Sequence, residues 1–391
     1  MLSFDNTRIA FRIKSDKDLK RAYNLFKLIS CPLLVKIGNP IIRFATVFRL
    51  PIGWIIKPTA YRQFVGGETL ESCKPVVEKL FSANVYSILD YSVEGKERDK
   101  TIERTLNETI RSIINAGQHT GIPFAVFKPT AFGNSRALEI LSQESMPDKR
   151  AVLEGQKFRN RINLLCSTAY DNDVSILIDA EDSFYQNFID MVVIEMMEKY
   201  NRSKAIVYNT YQMYRVDRLN IFKNDVKKAR NKGFYLGAKF VRGAYMEKER
   251  KRARKLKYKD PIHPDKKSTD RNYNIALKLS VENIDIVSVF NGTHNEFSSM
   301  YLVELMKEKG IEAGDKRLWF SQLYGMSDHI SFNLAEYGYN VAKYVPYGPI
   351  RHVLPYLMRR IEENTSVKGQ TGRELSFLKK EIIRRSQKDF N

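Results

Sequence analysis

Short apolar runs recur through the second part of the chain, at Phe124 to Lys128, Val174 to Ala180, Ala205 to Thr210, Tyr235 to Val241, Ile284 to Phe290, Arg317 to Leu323 and Val341 to Val345. Most are rich in Val, Ile, Phe or Tyr, which pack well on a pleated surface. Between them lie longer segments whose apolar residues return at helical spacing, such as "NFIDMVVIEMMEKYNRS" and "SSMYLVELMKEKG". Strand and helix alternate, which predicts a parallel sheet covered by helices. Seven strands are visible, and a gap of about forty residues between Tyr245 and Ile284 has room for the eighth that a closed (βα)8 barrel requires.

An open doubly wound sheet has the same alternation. The polar residues favour the barrel. Lys128, Asp179, Asn209, Arg242, Thr293, Gln322 and Tyr344 fall at or just past the C-terminal ends of the strands, and in a barrel those ends meet at one mouth. The expected fold is therefore α/β, a distorted (βα)8 TIM-like barrel preceded by a helical N-terminal arm. Residues 1–120 form a helical, basic arm or cap that includes "LNETIRSIINAGQHTG". Residues 121–391 form the barrel with C-terminal helices.

Composition changes this picture little. Hydrophobic residues at 43% and charged residues at 28% are ordinary for a globular chain and exclude a disordered one. The 65 Lys and Arg against 45 Asp and Glu leave a net charge of +20, which attracts phosphates, acidic partners or an anionic membrane surface. Cys31, Cys73 and Cys166 are too scattered for a metal site or a disulfide framework and suit a reduced cytoplasm. The N-terminus lacks the uninterrupted apolar core of a signal peptide. The most apolar stretch, from Leu25 to Lys57, carries basic residues too often for a membrane span and reads as amphipathic.

The strand ends supply the candidate chemistry. Lys128 lies inside an apolar strand, and a buried ammonium needs a carboxylate; Asp179 on the next strand is the natural partner. Asp179 could equally cap the helix that follows it. In "AKFVRGAY", an Arg at a strand end precedes Gly243, whose missing side chain would let a ligand approach the backbone or would equally serve a strand-ending turn. In "GTHNE", Thr293, His294 and Asn295 can hydrogen-bond a phosphate or ribose, or form an ordinary turn and helix cap. The run "EKERKRARKLKYKD" reads as a solvated helix face that would also reinforce a phosphate-attracting rim. No Walker loop, H-E-x-x-H or G-x-S-x-G is present, so metal and acyl-transfer chemistry lose support.

The ordered set "LDYSVEG", Lys128, "DAE", "NTYQ", "KFVRGAY", "TD", "THN", "QLYGM" and finally Tyr344, "YGP", "PYLMRR" and Glu363 resembles the proline dehydrogenase family over nearly all of residues 50–370. The resemblance implies a monofunctional flavoenzyme on a distorted (βα)8 barrel, with its fifth strand in the region before Thr269. It implies oxidation of L-proline to Δ1-pyrroline-5-carboxylate, with hydride passing to N5 of FAD and electrons to a membrane quinone. Oxidation of 4-hydroxyproline on the same fold is the alternative, and nucleic-acid binding would explain only the charge.

Site roles follow from the same resemblance. Arg359 and Arg360 would hold the proline carboxylate, since a guanidinium fork matches it in two hydrogen bonds. Tyr344, Tyr356 and Leu323 would wall the ring, Lys128 and Asp179 would form its polar side, and Glu94 would pair with Arg359 as a lid. Asn209, Lys239, Arg242, Gly243, Ala244, Thr293, His294, Asn295 and Glu363 would hold FAD. Asn209, Lys239 and Met246 stand where the bifunctional bacterial members have Gln, Arg and Trp. The expected partners are L-proline, a quinone, a transiently bound pyrroline-5-carboxylate dehydrogenase and an anionic membrane surface, with no nucleic acid and no metal. The expected location is the cytoplasm, at the inner face of the membrane.

Overall fold

The computed structural model describes residues 2–31, 53–92, 99–143, 146–366 and 370–388. Its strands are β1 Tyr86–Tyr91, β2 Phe124–Phe127, β3 Ser175–Ile178, β4 Val207–Gln212, β5 Leu236–Val241, β6 Val287–Gly292, β7 Leu318–Leu323 and β8 Val341–Tyr347. They form one eight-stranded sheet in the order β1-β8-β7-β6-β5-β4-β3-β2, and the registered pairs are parallel. With helices between the strands, this is the expected (βα)8 class. The strands read as continuous apolar runs because both faces of a parallel sheet are covered; every residue of β2, β4 and β8 is buried.

The eighth strand is not where the sequence reading put it. Residues between Tyr245 and Ile284 form two helices, Met246–Leu256 and Lys266–Glu282. The missing strand is β1, within the span assigned to the N-terminal arm. Its sequence, "YSILDY", has only two aliphatic residues in a row and ends in a carboxylate and a phenol, so it carries a weak strand signal although four of its six residues are buried. The fifth strand is likewise Leu236–Val241, not a segment before Thr269.

Two compact units divide the chain: residues 95–321, and residues 1–94 with 322–391. In the first, aromatic rings fill the sheet's inner face. Phe124 meets Tyr208, Phe290 and Trp319 edge-on at centroid distances of 5.6, 5.1 and 5.1 Å. Alternate residues face the helices instead, where Tyr211, Phe222 and Phe240 pack together. In the second unit, the helix Asp16–Ile29 starts at a Ser15 cap and buries Leu19, Ala22, Phe26 and Ile29 in a cluster shared with Val353, Leu357, Phe377 and Leu378. Buried Glu381, on the helix Gln370–Lys388, accepts from Thr7 at 3.0 Å and binds Arg384 and Arg385. Among the described residues, no helix is long and apolar enough to cross a membrane.

Candidate active site

Side-chain parity decides which strand-end residues can reach a ligand. On β5, Phe240 packs with the helix-facing rings, so Lys239 points to the inner face. There it forms an ion pair with Asp179, one residue past β3, and its ammonium lies 5.9 Å from the ring centre of Phe290. Lys239 is only 5% exposed. The sequence reading gave Asp179 to Lys128, the cation on the adjacent strand, but the ion pair is made by Lys239, which reaches across β4. Lys128, half-buried at the end of β2, leads into the turn Pro129–Phe132 and lies in the field of Glu181. Burial pushes the Glu181 carboxyl above its ordinary value, against hydrogen bonds from the Thr130 amide and hydroxyl at 2.9 and 2.7 Å.

Asn209, expected at the cofactor, is placed away from the inner face. It sits on the helix-facing side of β4, where its amide donates to Asp190 at 3.0 Å and its oxygen accepts from the Thr210 amide at 2.9 Å. Asp190 in turn binds the fully buried Arg218. The inward residue at the end of β4 is Gln212, which the sequence reading missed. It is 2% exposed and donates to the Glu181 carbonyl at 2.6 Å. Counting by twos back from Gln212 to Tyr208, whose ring meets inner-face Phe124, would have found it.

Arg242, just past β5, is held on three sides. It donates to Asp270 at 2.7 Å, to Thr293 at 2.6 Å and to Ser298 at 3.0 Å, and its guanidinium lies 4.4 Å from the ring centre of Tyr273. Its fork is thereby fixed before any ligand arrives. Gly243 has φ +127°, and a Cβ there would come within 2.4 Å of the Tyr214 ring, so this position requires glycine; Gly243 and Ala244 are exposed. Thr293 is buried beside Arg242, and His294 is half-buried. Asn295 follows the ordinary alternative: its oxygen caps the helix Glu296–Glu308 by accepting from the Ser298 amide at 2.9 Å.

In the other unit, β8 and the helix after it carry the expected substrate residues. Lys343 is completely buried and bound to Asp328 at 2.8 Å, so Tyr344 points to the opposite face of β8, where it is 7% exposed. The helix Ile350–Ser366 places Tyr356, Arg359 and Arg360 within two turns. Tyr356 and Arg360 are buried, with the guanidinium 5.1 Å from the ring centre, and Arg359 is half-buried. Leu323, half-buried at the end of β7, packs against the same apolar cluster as Tyr356. Glu94 and the side chain of Glu363 lie outside the described residues.

The family model of proline dehydrogenase matches residues 73–373. The chain is 34% identical over 322 residues to the carbapenem antibiotics biosynthesis protein CarD of Pectobacterium carotovorum subsp. carotovorum, covering 82% of this chain and 83% of that protein. It is 32% identical over 379 residues to mitochondrial proline dehydrogenase 1 of Dictyostelium discoideum, covering 86% of this chain and 66% of that one. A solved structure of proline utilization A from Bdellovibrio bacteriovorus superposes with a TM-score of 0.73 at 19% identity, over 92% of this chain and 38% of that one, a likeness of fold. The chain belongs to the proline dehydrogenase family.

Proposed function

We propose that the protein oxidises L-proline to Δ1-pyrroline-5-carboxylate. The observation that carries this reading is the arginine pair. Arg360 is buried against Tyr356, with Arg359 beside it on the helix that follows β8. Two adjacent guanidiniums, one taken largely out of water, suit a small carboxylate bound through paired hydrogen bonds. Tyr344, Tyr356 and Leu323 supply the flat and aliphatic surface that a pyrrolidine ring packs against. The reaction takes the amine proton and a hydride from the neighbouring ring carbon, leaving a C=N bond, and a fixed carboxylate is what holds that carbon in one orientation.

The residues of the unit 95–321 fit a flavin dinucleotide. Lys239 and Arg242 are cations already fixed by Asp179 and Asp270, Gly243 leaves bare backbone, and Thr293 and His294 add hydrogen-bonding groups. Bound FAD would supply the hydride acceptor at N5 and pass the electrons to a membrane quinone. Lys239, balanced by Asp179, would supply a positive charge to an electron-accepting ring held at this end of the sheet. Gln212 and Glu181 brace the loop that carries Asp179. A lipid-soluble acceptor places the protein peripherally at the inner face of the membrane, and transient contact with pyrroline-5-carboxylate dehydrogenase would remove the product.

The test is anaerobic addition of L-proline to the purified protein. Bleaching of flavin absorbance, with stoichiometric formation of the pyrroline, is the expected result. A protein that binds FAD stoichiometrically yet is not bleached by L-proline would overturn the substrate assignment.

A further inference from the structure

The unit formed by residues 1–94 and 322–391 contains a pocket of about 690 Å³ whose lining includes none of the residues assigned to substrate or cofactor. It is bounded by the helix Asp16–Ile29, the turn Lys57–Tyr61, the helix Leu70–Phe81 and the loop after β7. Its charge is unbalanced. At one side, a single carboxylate, Asp18, is approached by Arg21 at 3.3 Å, Arg62 at 3.6 Å and Lys79 at 3.9 Å. These are long ion-pair distances, as expected when three cations share one anion. At another, Asp328 is shared between Lys14 at 3.3 Å and Lys343 at 2.8 Å. Around Asp18 alone, two positive charges are in excess.

Tyr61, Val65, Val76, Leu80 and Phe332 give the pocket apolar wall as well. Trp54 also lines the pocket and is 75% exposed, a large apolar ring left in water; the same lining holds Arg62 and Lys57, the latter paired with Glu68 at 2.6 Å. Exposed indole next to cations is the pattern of a surface that meets something both apolar and anionic. A carboxylate would balance one charge only. A phosphate offers up to two charges and several oxygens for the forks of Arg21 and Arg62.

We infer that this pocket binds a phosphate-bearing ligand with an apolar body, its phosphate replacing water among Arg21, Arg62 and Lys79. The inference is independent of the proline chemistry proposed above. Two sources share this chemistry, the headgroup of an anionic lipid and a free phosphate ester, and the experiment separates them.

Trp54 reports on the site, because the only other tryptophan, Trp319, is buried in the other unit. The full-length holoprotein is titrated with inorganic phosphate, with short-chain phosphatidic acid below its micellar concentration, and with phosphatidylcholine vesicles with and without long-chain phosphatidic acid. The expected result is a salt-sensitive change in Trp54 emission with phosphatidic acid, absent in Trp54→Phe. Apparent affinity should fall about tenfold or more in Arg62→Gln with Lys79→Gln, as expected when charge-assisted contacts to phosphate are lost. Comparable affinity for vesicles that contain phosphatidic acid identifies a membrane lipid, and binding of short-chain phosphatidic acid without vesicle binding identifies a soluble phosphate ester. Inorganic phosphate as effective as phosphatidic acid would remove the apolar body from the proposal. Absence of binding by every probe, or binding unaltered in the double variant, would overturn it. Arg21→Gln is the second variant if the double one fails to fold.

Discussion

Lys239 on β5 and Asp179 beyond β3 form an ion pair that spans β4, joining two residues sixty positions apart in the chain. Both are largely withdrawn from water, and removing one partner leaves the other charged and buried. Asp179→Asn and Lys239→Met should each destabilise the fold by about 3 to 5 kcal/mol. The double variant Asp179→Asn with Lys239→Met should lose less than the sum of the two single ones. Denaturant unfolding of the four proteins measures this coupling, and strict additivity would mean that the pair contributes nothing as a pair. Flavin content of the same samples reports the proposed cofactor role, which predicts a loss in Lys239→Met beyond what its stability explains.

Arg359→Lys and Arg360→Lys keep the charge but replace a planar fork by a single ammonium. If the forks hold the substrate carboxylate, each change should lower kcat/KM for proline by about 10- to 150-fold, the equivalent of about 1.5 to 3 kcal/mol. FAD content should stay normal, because these residues are assigned to substrate. Unchanged kcat/KM would show that charge alone suffices.

Tyr344 is inward-facing and buried; if it walls the substrate ring as proposed, it leaves little room for a substituent on a bound pyrrolidine. Tyr344→Ser should narrow the preference for proline over trans-4-hydroxyproline. The measurement is the ratio of kcat/KM for the two substrates, and an identical ratio in wild type and variant would end the steric account.

Asn209 faces the helix Ser183–Tyr200 rather than the inner face, so Asn209→Ala should act on stability. Loss of its bond to Asp190, with two polar groups left buried, should cost about 1 to 3 kcal/mol. Flavin content and proline kinetics per folded molecule should stay close to wild type, which steady-state assays and flavin absorbance check together.

Glu381 gives a prediction for acid. Burial pushes its carboxyl up, but hydrogen bonds from Arg384, Arg385 and Thr7 outweigh this and hold it at about 2, below its ordinary 4.5. A group depressed in the folded state stabilises fully above its unfolded value and loses that contribution as protons bind. The stability it supplies should therefore vanish between about pH 4.5 and pH 2. Denaturant midpoints across this window should fall more steeply for wild type than for Glu381→Gln. Parallel curves would remove Glu381 from the acid response.

The sequence by itself determined the class of fold. Seven of the eight strands are visible because a parallel strand buried on both faces must be apolar throughout, and that demand is local. It also determined the family, since the helix with Tyr356, Arg359 and Arg360 is one contiguous stretch whose side chains share a surface by helical spacing alone. Tertiary structure decided the rest. β1 was hidden because its polar and aromatic ends are acceptable only where β8 lies beside it in register, Ile88 opposite Tyr344. Asp179 went to Lys239 rather than Lys128 because an ion pair is chosen by side-chain reach over a folded sheet, not by which strand comes next. The faces of Asn209 and Gln212 were not legible because a strand's two faces look alike in a run buried on both sides, and only neighbours such as Asp190, Phe124 and Phe240 distinguish inside from outside.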